Sequence, residues 1–217
     1  MTAVPFVTDG DVTAALSQVL GHLRAGGLLA YPTETVYGLG SRPRETDVRS
    51  LAALKGRAPE KPFLMLVASR EMAEAQGLAF NESARALARA FWPGPLTLVL
   101  PGGGGRLPDL LRGPEGGVAV RWTSQPHVAR LVTQLGEPLT STSANLPGAA
   151  PAPGADAVLR DFAGAVTDGR LLVLDGGVLG NRPPSTVVDC TGPVPRVIRS
   201  GAVSLPELRR AAGILAP

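Results

Sequence analysis

Residues 26–40 read Gly-Gly-Leu-Leu-Ala-Tyr-Pro-Thr-Glu-Thr-Val-Tyr-Gly-Leu-Gly. Two glycines, a four-residue apolar run and a proline give the pattern of a short buried strand over residues 28–31. Upstream, Val12, Ala15, Leu16, Val19, Leu20 and Leu23 recur at helical spacing, and Gly26-Gly27 stops that helix. Downstream, Val48, Leu51, Ala52 and Leu54 predict a helix over 46–55 that Gly56 ends, and 63–68 is a continuous apolar strand. The same reading extends along the chain. Asn81 caps a helix carrying Ala84, Leu87, Ala88 and Phe91, which Pro93 ends. Residues 96–100 and 118–122 are strands. Pro126 opens a helix that Gly136 closes. Residues 171–174, 186–190 and 196–198 are further strands, and Ser204-Leu205-Pro206-Glu207 is a capping box that opens a last helix. Alternation of helices and strands, with apolar strands that need cover on both faces, predicts an α/β fold: a three-layer, mixed sheet with helices on both sides.

Composition narrows the function. Hydrophobic residues make up 44% of 217, enough for a substantial core, while aromatics are only 4%. A formal charge of +3 suits an anionic ligand but lacks the basic runs of a dedicated nucleic-acid binder. A single cysteine, Cys190, excludes an internal disulfide, and with two separated histidines, His22 and His127, it argues against a structural zinc site. Its apolar neighbours, Val187 and Val188, mark it as a buried thiol. There is no Gly-x-Ser-x-Gly elbow and no Gly-x-Gly-x-x-Gly after the first strand. The absence of a secretory leader or a long apolar run predicts a cytoplasmic protein with no membrane association. Residues 102–105, four glycines, read as a mobile connection. Residues 146–155, rich in Pro, Gly and Ala, read as an interdomain linker or as a lid, with the lid favoured.

What remains is a set of cations and small hydroxyls beside strand ends. Only Lys55 and Lys61 are lysine, and they flank Arg57. A compact ammonium on a flexible stem suits phosphate oxygens, whereas the planar guanidinium fork suits a carboxylate. Thr33 and Thr35 follow the first strand. Arg121 interrupts Val118-Ala119-Val120. Thr140, Ser141, Thr142, Ser143 and Asn145 cluster after Pro138-Leu139, where they read either as a site or as an edge strand. Ser185 opens one strand and Arg199 closes another. Open α/β sheets bind ligands outside strand ends. With no strong nucleophile or base in the set, such a site would act by positioning and charge stabilisation, as nucleotidyl transfer does.

Residues 31–40, Lys55-Gly56-Arg57, 91–100, 118–121, Ser143-Ala144-Asn145, 185–189 and 196–203 occur in the order of motifs in the YrdC-domain family, and the chain resembles that family over roughly residues 10–210. The resemblance implies a single YrdC-like domain over 1–217, with a twisted sheet around a concave basic cavity, in the short form without an extra C-terminal domain. It implies a nucleotidyltransferase, a threonylcarbamoyl-AMP synthase. L-threonine, bicarbonate and ATP, with Mg2+ accompanying ATP, would give threonylcarbamoyl-AMP and pyrophosphate. The product would feed tRNA threonylcarbamoyladenosine formation through downstream threonylcarbamoyl transferase proteins, with possible transient tRNA contact. Carried over by position, Thr35, Arg121, Ser141 and Ser185 would hold threonine. Lys55, Arg57, Lys61, Ser143, Asn145 and Arg199 would lie at the nucleotide. No resident metal site is implied. Where many longer members carry a histidine, this chain has Leu66, which cannot hydrogen-bond through its side chain; the shift to Ala58-Pro59 after the Lys-Gly-Arg motif is a second departure. The alternative is an RNA-binding module with no chemistry of its own.

Overall fold

The computed structural model describes residues 2–56, 62–180 and 182–213. The chain runs β1 (Val4–Pro5), α1 (Asp9–Arg24), β2 (Leu28–Pro32), β3 (Tyr37–Gly40), α2 (Glu45–Lys55), β4 (Leu64–Val67), α3 (Arg70–Ala75) and α4 (Glu82–Phe91). It continues through β5 (Leu96–Leu100), a short 3-10 turn, β6 (Val118–Trp122), α5 (Pro126–Leu135), β7 (Leu139–Ser143), α6 (Ala155–Asp161) and α7 (Ala163–Thr167). It ends in β8 (Leu171–Asp175), β9 (Thr186–Asp189), β10 (Arg196–Arg199) and α8 (Leu205–Ala212). The strands form one mixed sheet in the order β1-β8-β2-β3-β7-β4-β6-β5-β9-β10. The pairs β1–β8, β8–β2, β4–β6 and β5–β9 are parallel, and β2–β3, β3–β7, β7–β4, β6–β5 and β9–β10 are antiparallel.

Strand alternation gives the sheet two different faces. On one, Ala30, Leu39, Met65, Leu98, Val120, Val173 and Val188 pack under α2, α4, α6 and α8 in the larger apolar cluster. On the other, Leu29, Tyr31, Leu66 and Leu139 pack under α1 and α5 in a smaller cluster. Those two helices cover only part of this second face. The rest carries Arg121, Ser141, Ser185 and their neighbours. The three-layer mixed α/β expectation holds, and the uncovered part of the second face is where a ligand has room.

The helix signals read from sequence are satisfied as expected. Asn81 Oδ1 accepts from Ala84 N at 2.8 Å, Gly136 closes α5 at φ 76°, and Ser204 and Glu207 complete the capping box. Several elements differ from the sequence reading. The hydroxyl-rich stretch is no edge strand. It is β7, in the middle of the sheet between β3 and β4. One apolar residue in five gives it no hydrophobic signature, yet its backbone is paired on both sides. β3, two glycines in four residues, and the short helices α3, α6 and α7 also lack the periodicity that marks an element. The four-glycine connection is tied down at its first half: Gly103 N donates to Gly77 O at 2.9 Å, and Arg112 donates to the carbonyls of Gly102 and Gly103. After residues 146–155 the chain returns to the same sheet, with β8 between β1 and β2.

Candidate active site

β2 and β3 form a hairpin whose turn is residues 33–36. Thr33 Oγ1 accepts from the backbone N–H groups of Thr35 and Val36, each at 3.2 Å, and donates to Val36 O at 2.7 Å. This local network is an alternative to strand pairing that short hydroxyl side chains offer. It presents Thr35 to the uncovered face. The pairing of β3 with β7 depends on glycine. A Cβ on Gly40 would sit 2.0 Å from Thr140 O and 3.0 Å from the Tyr31 ring, while Tyr31 Oη donates to Thr140 O at 2.9 Å. The aromatic ring therefore lies flat over bare backbone and brings β7 close enough to the hairpin for Ser141 and Ser143 to face the same space as Thr35.

That space is a cavity of about 460 Å3 lined by residues of β3, β4, β5, β6, β7, β9 and β10. All four residues assigned to threonine by resemblance, Thr35, Arg121, Ser141 and Ser185, line it, although they lie 150 positions apart at the extremes. Ser143 and Arg199 line it too. Lys55 and Asn145 stand beside it: Lys55 Nζ donates to Asn145 O and, at 2.8 Å, to Asn145 Oδ1, which also accepts from Ser143 Oγ at 2.6 Å. Arg57 and Lys61 lie outside the described residues. Leu66 is fully buried with Tyr31 and Leu139 beneath α1 and α5 and does not line the cavity.

The electrostatics favour an anion. Among the described residues, no Asp, Glu, His or Cys lines the cavity. Arg121 is 3% exposed, and its Nε has no hydrogen-bond partner. Arg199 donates to Ser185 O at 2.8 Å and to Ser185 Oγ at 3.1 Å, and Ser185 Oγ lies 2.9 Å from Thr97 Oγ1. Burial, together with the neighbouring Arg121, holds the Arg199 guanidinium below its ordinary value. Two like charges face one hollow whose described lining holds no carboxylate; Glu34 balances Arg121 from behind at 3.5 Å, and a bound anion relieves the repulsion between the two guanidinium groups. A second hollow of about 430 Å3 adjoins the first across Pro62, Val99, Ala119 and Ile198. It is mostly apolar, and its charged groups are already paired: Arg196 Nη2 lies 3.1 Å from Asp189 and 3.6 Å from Glu115.

Sequence reasoning missed three polar residues at this site. Thr97 holds Ser185 and is the one polar residue of its strand, which is a visible signal. Glu34 has its carboxylate 3.5 Å from Arg121 Nη1 and accepts a hydrogen bond from Thr123. Thr123 is fully buried just beyond the end of β6. Nothing in the local sequence links Glu34 to Thr123, because only the pairing of β2, β3, β7, β4 and β6 across the sheet brings them together.

A family model for Sua5, YciO and YrdC, described as telomere recombination, matches residues 21–201. Threonylcarbamoyl-AMP synthase of Pyrococcus abyssi is 36% identical over 194 residues, covering 89% of this chain and 56% of that protein. The enzyme of the same name from Thiobacillus denitrificans is 41% identical over 177 residues, covering 81% of this chain and 91% of that protein. The crystal structure of P. abyssi Sua5 complexed with L-threonine superposes with a TM-score of 0.87 at 32% identity, covering all of this chain and 63% of that one. The chain thus spans just over half the length of the Pyrococcus relative. A family match over most of the sequence, carried on the same fold, places this chain in the Sua5/YciO/YrdC family.

Proposed function

We propose that this chain condenses L-threonine, bicarbonate and ATP to threonylcarbamoyl-AMP and pyrophosphate. The observation that carries the reading is the convergence of two arginines and a ring of hydroxyls in a cavity whose described lining holds no carboxylate, next to the Lys55–Asn145–Ser143 relay. Relatives named for this activity, and a related structure complexed with L-threonine, support it.

The chemistry follows from the groups available. Arg121 would take the threonine carboxylate on the free side of its guanidinium, with Thr35, Ser141 and Ser185 hydrogen-bonding the carboxylate and the side-chain hydroxyl. Bicarbonate takes up a proton and loses water to give CO2, and the threonine amine adds to its carbon and gives up a proton, so that the carbamate forms with one water released overall. A carbamate oxygen then attacks the α-phosphorus of ATP. The bond from that phosphorus to the bridging oxygen breaks, and pyrophosphate leaves. Lys55, Ser143, Asn145 and Arg199, with Arg57 and Lys61, would sit against the phosphates and draw off the charge that builds there. No described residue of the cavity is a strong base or nucleophile, so the rate would come from alignment and electrostatics. Mg2+ would enter on the oxygens of the triphosphate, since the hydroxyls and cations of the cavity provide no hard anionic ligand of their own. The mixed anhydride would pass to a threonylcarbamoyl transferase and finally to tRNA in the cytoplasm.

The test is mass spectrometry of the purified protein with ATP, Mg2+, bicarbonate and L-threonine, read alongside pyrophosphate release. Threonylcarbamoyl-AMP should form only when all components are present. Protein that binds ATP yet yields no adduct under these conditions would refute the reading.

A further inference from the structure

Arg121 is the central cation of the cavity, and what aims it lies on the far side from the ligand space. Its Nη1 is 3.5 Å from Glu34 Oε1 and 3.5 Å from Thr35 Oγ1. Glu34 does not line the cavity. Its side chain is 9% exposed, its Oε2 accepts from Thr123 Oγ1, and Thr123 Oγ1 in turn accepts from Gln125 N at 3.2 Å. Gln125 is the N-cap of α5, whose side chain accepts from Val128 N at 2.7 Å. A chain of hydrogen bonds therefore runs from the start of α5 through Thr123 to Glu34, and a 3.5 Å ion pair carries it on to one nitrogen of the guanidinium. Two buried polar atoms in this chain lack hydrogen-bond partners: Glu34 Oε1, at the long ion pair, and Arg121 Nε.

A guanidinium has two edges that can grip a carboxylate, and an isolated arginine presents either one through several rotamers. Engaging Nη1 from behind fixes the plane of the fork and leaves the part of the guanidinium that lines the cavity for a ligand. It also neutralises a buried cation that would otherwise be costly to hold inside the protein. We propose that Glu34 is a positioning residue for threonine recognition. It acts only through Arg121, orienting the guanidinium so that its cavity-facing edge meets the amino-acid carboxylate, with Thr123 and the start of α5 as the anchor. This inference rests on the reading of the cavity as the L-threonine site.

The experiment is isothermal calorimetry of L-threonine binding, with steady-state kinetics varied separately in threonine and ATP. It uses wild type, Glu34→Gln, Thr123→Val, Arg121→Ala and the double variant Glu34→Gln/Arg121→Ala, each checked by thermal melting. Replacing the charged partner by a neutral one of the same shape should weaken threonine binding roughly tenfold, because the guanidinium loses the carboxylate that pairs with it from behind. The KM for ATP should stay within about twofold, Thr123→Val should show a smaller loss in the same direction, and the double variant should bind no worse than Arg121→Ala alone. Wild-type affinity in folded Glu34→Gln overturns the inference, as do losses that multiply in the double variant or fall equally on ATP. If neither Glu34→Gln nor Thr123→Val folds, the chain of bonds is structural and the positioning role is likewise overturned. Wild type that binds no threonine overturns the functional reading itself, and this inference with it.

Discussion

At the scale of single residues, burial decides which side chains react and which only hold. Cys190 is fully buried in the larger apolar cluster. Its burial, reinforced by the neighbouring Asp189 carboxylate, pushes the thiol up to about 12. The thiolate is the reactive form, so at pH 8 the folded protein should carry almost none. A disulfide reagent such as Ellman's should label the native protein negligibly and label it fully in denaturant. Rapid stoichiometric labelling of native protein would contradict this placement. Arg121 is nearly as buried but lines the cavity, which Cys190 does not. The sequence set the two apart. Cys190 stood among valines, whereas Arg121 was a charge interrupting a strand of valines and alanine.

At the scale of elements, the hairpin β2–β3 and its contact with β7 position the hydroxyls. Gly40→Ala would drive a methyl group against the Thr140 carbonyl and the Tyr31 ring, so the two strands must part. Overpacking of this kind costs about 2–3 kcal/mol, which urea denaturation should record. Because Ser141 and Ser143 move with β7, threonine affinity should fall as well. The β9–β10 hairpin carries a pH-sensitive tie. Burial raises the Asp189 carboxyl, but hydrogen bonds from Thr191 and Arg196 outweigh it and hold the group below its ordinary value. A carboxylate depressed in the folded state adds stability that is present above its unfolded pKa and lost as pH falls through the folded one. Asp189→Asn should therefore be less stable than wild type at pH 7. The difference should shrink as the pH is lowered from about 5 towards 2, the range of a depressed carboxylate. A stability gap that stays constant with pH would argue against the tie. Helix caps in this chain were legible because Asn81, Gly136 and the Ser204–Glu207 box act within four residues of themselves. β3 and β7 were not, because their hydrogen bonds come from strands remote in sequence and their side chains carry no periodic apolar signal.

At the scale of the whole molecule, two faces of one sheet do different work. One is sealed by α2, α4, α6 and α8, and the other is left partly open by α1 and α5. Residues 146–155 border the opening: Pro151 lines the cavity, Asn145 Nδ2 donates to the carbonyls of Leu146 and Ala149, and Leu146 is 43% exposed. If this segment closes over bound substrates, thermolysin, which cuts before exposed leucines, should cleave there severalfold more slowly when ATP, Mg2+ and L-threonine are added. Unchanged cleavage would show that the segment borders the site without closing it. Among the described residues, no helix is long and apolar enough to cross a membrane.

By itself the sequence determined the α/β class, the ends of the longer helices, the buried apolar strands and the identity of most of the polar side chains that line the cavity. Those features follow from local periodicity, from capping chemistry and from charges that interrupt apolar runs, all of which act over a few residues. Only the tertiary structure decided that the hydroxyl-rich stretch is a central strand, that Leu66 lies under helices away from the cavity, and that Glu34, Thr123 and Arg121 form one chain of contacts. These depend on strand order, and strand order is fixed by backbone pairing and by the packing of two sheet faces between residues far apart in the chain.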